Sequence, residues 1–130
     1  MSDADTGETA ELFRGLNVMV VEDEAIVSFM IEDMLLDRGC AAVWHASNVE
    51  QAIGLLDARQ PDLAVLDVNL GGELVFPVAR RLEAAGIPFV FATGYGRNGI
   101  LKDWANHAIV HKPYDGNTLA EVLAALLAKG

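Results

Sequence analysis

Short, continuous apolar runs recur along this chain at 17–21, 41–45, 63–66, 89–92 and 108–110, rich in Val, Ile, Leu and Phe, with Gly, Pro, Asp or Asn at their borders. Runs of this length are strands, and the lack of polar alternation within them means burial on both faces, which is the habit of parallel sheets. The segments between them have helical spacing. Ile26, Met30 and Met34 with Val27, Ile31 and Leu35 give a wide apolar face on a helix that closes at Arg38-Gly39. Ser47-Asn48-Val49-Glu50 reads as a capping box opening a second helix that carries Ile53, Leu55 and Leu56. Pro77 suits the first turn of a third helix ending at Ala85-Gly86. Leu119, Val122, Leu123, Leu126 and Leu127 mark a last helix that starts after Asp115-Gly116-Asn117.

The irregular stretch is 94–107, GYGRNGILKDWANH. Its glycines 94, 96 and 99 each lower helix propensity by about 1 kcal/mol, so a fourth helix there is expected to be short, displaced or mobile. Five strand–helix units with right-handed crossovers place helices on both faces of a five-stranded parallel sheet, an α/β fold. Residues 1–13 read as a flexible leader, with a short helical turn at Ala10-Glu11-Leu12-Phe13 packing on a domain that spans 14–130.

The net charge of −10 argues against nucleic acid or an anionic membrane surface as a partner. Every apolar run falls far short of the roughly 20 residues that span a bilayer, and the leader is acidic where a secretion signal is basic and then apolar. A cytoplasmic location is expected. The single cysteine, Cys40, reads as a small buried hydrophobe in a reducing compartment.

In open α/β sheets, ligands bind beyond the carboxyl ends of the strands. Those ends carry Glu22 and Asp23 after the first run, Asp67 after the third, Thr93 after the fourth and Lys112 after the fifth. An isolated acidic pair such as Glu22-Asp23 more often favours a helix dipole, but carboxylates gathered in one pocket repel and resist desolvation unless a cation neutralises them. An oxygen-rich, partly open site suits magnesium. Asp67 is then a carboxylate able to attack a phosphoryl group, Lys112 and the metal offset charge on the equatorial oxygens, and Thr93 donates a hydrogen bond.

The segments VVEDE, LAVLDVNL, FVFATGYG and HKPY, in this order and spacing, resemble a response-regulator receiver domain over about Leu16 to Leu127. The resemblance implies a flavodoxin-like sheet of strand order 2-1-3-4-5, Asp67 as phosphoacceptor and a cis Lys112-Pro113 bond. It further implies Asp23 as a direct Mg2+ ligand, Glu22 as a ligand through water, and the Asn69 carbonyl as the remaining protein ligand. Receivers commonly carry Tyr or Phe three residues before the lysine; here that residue is Ile109. The run Phe91-Ala92-Thr93-Gly94-Tyr95 instead resembles the subgroup whose loop after the threonine carries the switch, so Thr93, Tyr95 and the 94–105 segment are expected to respond to phosphorylation.

By the same resemblance, the phosphoryl group comes from a histidine kinase or histidine phosphotransfer protein. The output runs through a downstream protein target or a homodimer, on the edge formed by the last helix, the fifth strand and the fourth segment. The initial Met and irregular leader favour a complete single-domain protein. Two other readings stay open: a binding module that works without phosphorylation, and a magnesium-dependent phosphatase. The phosphatase generally needs Asp-x-Asp, where this chain has Asp67-Val68-Asn69. Glu24 is expected to point to solvent, His45, His107 and His111 to lack a catalytic role, and Trp44 and Trp104 to be packing or interface residues.

Overall fold

The computed structural model describes residues 10–94, 104 and 106–129. A short helix α1 (Ala10–Phe13) precedes β1 (Asn17–Val21), α2 (Ala25–Asp37), β2 (Ala42–Ala46), α3 (Val49–Ala58) and β3 (Leu63–Asp67). The chain continues through β4 (Asn69–Leu70), β5 (Glu73–Leu74), α4 (Phe76–Ala84), β6 (Phe89–Thr93), β7 (Ile109–His111) and α5 (Gly116–Lys129). The main sheet has the order β2-β1-β3-β6-β7, parallel throughout. Counted among these five strands alone, that is the expected 2-1-3-4-5. The strands lie within one or two residues of the apolar runs.

Strand parity divides the core in two. Met19, Val21, Ala64, Leu66, Phe89 and Phe91 face one side with α3 and α4, while Val18, Val20, Leu63, Val65, Val90 and Ala92 face the other with α2 and α5. Phe13 of α1 is fully buried in the second cluster. Cys40 is buried there too, and burial pushes its thiol up to about 11, which keeps it protonated and unreactive at neutral pH.

Four local readings change. The cap of α3 is Asn48, whose side chain accepts from Gln51 N at 2.8 Å; Gln51 Oε1 in turn accepts from the Ser47 N–H and hydroxyl. The box is thus shifted by one residue, because Asn caps at least as well as Ser and Gln51 has the reach to close it. The apolar face of α2 is also narrower than its sequence implies. Ile31, Met34 and Leu35 are buried, but Ile26 and Phe29 are 84% and 60% exposed and Met30 is at the margin. Buried Ser28 occupies the flank that Ile26 and Met30 do not. A two-stranded antiparallel hairpin, β4–β5, appears between β3 and α4, turned by Gly71 (φ 67°) and Gly72 (φ 102°). Positive φ at both central residues is the glycine-favouring geometry of a tight hairpin turn. Finally, Glu24 is exposed but not idle, as described below. The expected fourth helix and Tyr95 lie outside the described residues.

Candidate functional site

The carboxyl ends of β1, β3, β6 and β7 converge on a cleft of about 490 Å3 lined by Asp23, Glu24, Asp67, Asn69, Gly71, Gly72, Gly94 and Lys112. Parallel register brings these ends level: Val21 is opposite Leu66, Asp67 is opposite Ala92, and Thr93 is opposite His111. The residues at or just after these strand ends, Glu22, Asp67, Gly94 and Lys112, therefore meet at the same mouth.

Lys112 crosses the floor. Its Nζ donates to Asp67 Oδ2 at 3.1 Å and to Glu22 Oε1 at 3.3 Å, and lies 3.8 Å from Glu24 Oε1. Its backbone N–H donates to the Thr93 carbonyl at 2.8 Å, which ties the loop after β7 to the end of β6. The Lys112–Pro113 bond is cis. Glu22 is buried, and its Oε2 accepts from Glu24 N at 3.0 Å. Asp67 is buried as well, with Oδ1 accepting from Asn69 N at 3.3 Å.

Glu22, Asp23 and Asp67 each present a carboxylate oxygen within 4.8 Å of the other two. Burial, reinforced by the Asp67 charge, pushes Glu22 up to about 7 against the pull of the Glu24 N–H and Lys112. Burial raises Asp67 too, although Lys112 and the Asn69 N–H oppose it. For Lys112 burial acts downward, and the Asp67 and Glu22 carboxylates outweigh it to hold the ammonium above its ordinary value. Among the described residues one ammonium faces this many acidic groups, which leaves them short of positive charge. An all-oxygen donor set with that deficit fits a small hard divalent cation.

The structure thus brings Glu22, Asp23, Asp67, Asn69 and Lys112 together. Thr93 is buried at the end of β6, beside the cleft-lining Gly94, and its carbonyl holds Lys112. His111 is exposed and directed away from Lys112, as strand parity requires. Trp104 packs among Phe76, Phe89, Phe91 and His107, and Trp44 is covered by the Arg59 guanidinium at 3.9 Å.

Sequence reasoning missed three features around this mouth. Glu24 reaches toward Lys112; its place directly after the Glu22-Asp23 pair was the available signal. Tyr114 is half-buried beside Pro113, with a phenol that burial, and then the Glu22 charge, push up to about 12. His45 is clamped: its Nδ1 shares a hydrogen bond with the Ser28 hydroxyl at 2.6 Å, while Nε2 lies 3.2 Å from Glu32 Oε1. Ser28 and Glu32 are four apart on α2 and so share a face, but nothing in the sequence pairs that face with β2.

Comparisons with known proteins point to a family and a fold. A family model described as the response regulator receiver domain matches residues 18–124. The sensory transduction protein LytT of Bacillus subtilis is 32% identical over 83% of this chain and 46% of its own length. The transcriptional regulatory protein PdtaR of Mycobacterium tuberculosis is 23% identical over 86% of this chain and 57% of its own length. The chain thus spans about half the length of these relatives. Among solved structures, SdrG of Sphingomonas melonis Fr1 is 36% identical, covers 88% of this chain and 98% of its own, and superposes with a TM-score of 0.71. The receiver domain of PhyR from Erythrobacter litoralis shares the fold at 23% identity, covering 88% and 92%, with a TM-score of 0.74.

Proposed function

The chain belongs to the response regulator receiver domain family, and on that premise we propose that it accepts a phosphoryl group on Asp67 and signals through changed protein contacts. Receivers are signalling domains rather than enzymes in the ordinary sense, so the transfer and the later hydrolysis are chemistry the domain performs on itself. The observation that carries the reading is the Lys112 bridge between Asp67 and Glu22 at the mouth of an acidic cleft.

The donor is a phosphohistidine on a histidine kinase or phosphotransfer protein. Asp67 Oδ attacks phosphorus, the P–N bond breaks, and the imidazole leaves with its electron pair and takes up a proton. Asp23, Asp67, the Asn69 carbonyl and, through water, Glu22 would hold Mg2+, which would supply charge neutralisation at the equatorial oxygens. Lys112 follows the developing charge from the Asp67 carboxylate onto the phosphoryl oxygens. Thr93 donates a hydrogen bond to one of them, and the segment that carries Tyr95 shifts with it, in place of a strand-five aromatic.

A donor protein must cover the cleft mouth. Beside it lies an exposed apolar patch of Ile26, Phe29 and Met30, continuous with a groove lined by Val27, Met30, Pro113 and Tyr114. Such a patch supports a protein partner rather than a small substrate. The output partner is a downstream protein or a second copy of the chain.

The test is intact mass after incubation with Mg2+ and a small-molecule phosphodonor. One phosphoryl adduct is expected on the native chain, and none on Asp67→Asn or with chelator present. A folded native protein that takes no adduct with any donor would instead favour a module that binds partners without phosphorylation.

A further inference from the structure

The β4–β5 hairpin forms one wall of the cleft, and nothing in the phosphoryl chemistry explains why it is pinned at both ends. At its base, Asn69 N donates to Asp67 Oδ1, and the Asn69 side chain accepts from Gly72 N at 2.6 Å, which closes the turn on itself. At its tip, a β-carbon on Gly71 would stand 3.5 Å from Asp23 Oδ2, so bare backbone lies against that carboxylate. On its far strand, Glu73 Oε1 accepts from the backbone N–H of Val49, 24 residues away, at 3.1 Å. Val49 is the first residue of α3, a ten-residue helix whose amino end favours an anion.

Two strands of two residues have little stability of their own. The hairpin's first strand is anchored by buried Leu70 and its far end by the Val75 N–H bond to the Val68 carbonyl, and the Glu73–Val49 bond adds a fastening of β5 to the helix that follows β2. We propose that Glu73 is a latch: a positioning residue that touches neither metal nor phosphoryl group but fixes the wall carrying Asn69 and Gly71 against Asp67 and Asp23. The proposal rests on the receiver reading, since the wall matters only if the cleft holds a cation.

The experiment measures Mg2+ affinity by titration, following amide shifts of the full chain, for the native protein, Glu73→Ala, Glu73→Gln and Gly71→Ala. Metal-free amide exchange of Gly71 and Gly72 is recorded alongside. Outer positioning groups typically change metal affinity by 10–100-fold; for this exposed latch a loss of about 3- to 10-fold is expected in Glu73→Ala, with faster exchange at the turn. Glu73→Gln keeps an acceptor for Val49 and should stay within about twofold of native on the same scale. Gly71→Ala needs a strained positive φ in backbone that lies against Asp23, so it should weaken Mg2+ even with Glu73 intact. Native protein that binds no Mg2+ removes the receiver reading and the latch with it. Native protein that binds while Glu73→Ala binds equally well overturns the latch alone, as does an equal loss in Glu73→Ala and Glu73→Gln, which would mark a plain charge effect.

Discussion

Withdrawing metal should make this domain less stable as pH rises from 5 to 8, against the usual expectation that carboxylates help a fold as they ionise. The reason is Glu22, buried at 4% exposure and pushed from 4.5 up to about 7. Below 4.5 it is protonated in both folded and unfolded chains and contributes nothing to the pH dependence. Between 4.5 and 7 the unfolded chain ionises freely while the folded one resists, so the unfolded state gains and stability falls. At 1.36 kcal/mol per pKa unit this is about 3 kcal/mol, complete a little above pH 7, and the raised Asp67 acts in the same direction. For a domain of this size it corresponds to a drop in Tm of about 10 °C. Lys112, held above its ordinary value, also costs stability as pH rises, but only from 10.5 upward, outside the window. The assay is thermal unfolding by circular dichroism at half-unit pH steps, in chelator and in excess Mg2+. The slope should be negative in chelator, flat or reversed with Mg2+, and much reduced in Glu22→Gln under both conditions. A metal-free protein whose stability is level or rises from pH 5 to 7 would refute the reasoning, as would a Glu22→Gln variant with the native slope.

Lys112→Ala leaves Glu22 and Asp67 facing each other without a cation; metal-free stability should fall by about 2–4 kcal/mol by urea unfolding, with part regained on adding Mg2+. His45→Ala strips the buried Ser28 hydroxyl of its partner and should cost about 1–3 kcal/mol by the same measurement, without changing adduct formation by a small phosphodonor. Ile26→Asp and Phe29→Asp, on the exposed patch, should change stability by less than about 0.5 kcal/mol. They should nevertheless slow phosphotransfer from a protein donor several-fold in a radiolabel transfer assay, and leave transfer from a small phosphodonor unaffected.

The strands were legible because Val18, Val20, Leu63, Val65 and their neighbours are apolar on both sides of the sheet, a pattern that only a covered parallel strand tolerates. The cleft followed almost directly. Once the strands are parallel and level, the residues at or just after their ends must enter one mouth, and Asp67 and Lys112 need no further information to meet. The apolar face of α2 was harder. Ile26, Phe29, Met30, Ile31 and Leu35 leave few polar positions to mark the outer side, so periodicity could not say which flank faces water. Buried Ser28 settles it only through His45, seventeen residues on and in another element. The β4–β5 hairpin was hidden for a different reason: two residues per strand are too few to show a period, and Gly71-Gly72 shows a turn without showing what it turns.

The composition of the cleft also orders its events. Phosphorylation exchanges one negative charge on Asp67 for about two on a phosphoryl group, so it deepens the deficit that already lifts Glu22. With ordinary screening near a protein surface, a unit pair at 4 Å is worth about 4 kcal/mol, which makes a vacant cleft a poor acceptor. On the proposed reading a cation would therefore enter first, and Lys112 would then choose between Glu22 and the modified Asp67. Both contacts are now near 3 Å, so a move of the ammonium toward the new charge stretches the one to Glu22. The backbone of Lys112 is bonded to Thr93 and its chain runs on into Pro113 and Tyr114, beside the apolar groove. With Ile109 where an aromatic would otherwise report the change, this Lys112–Thr93 link is a path, among the described residues, from Asp67 to the surface. Lys112→Arg, which keeps the charge but not the point geometry, should accept phosphoryl and yet change partner affinity less than the native chain does on phosphorylation. An unaltered phosphorylation-dependent gain in partner binding by Lys112→Arg would show that the signal leaves by another route.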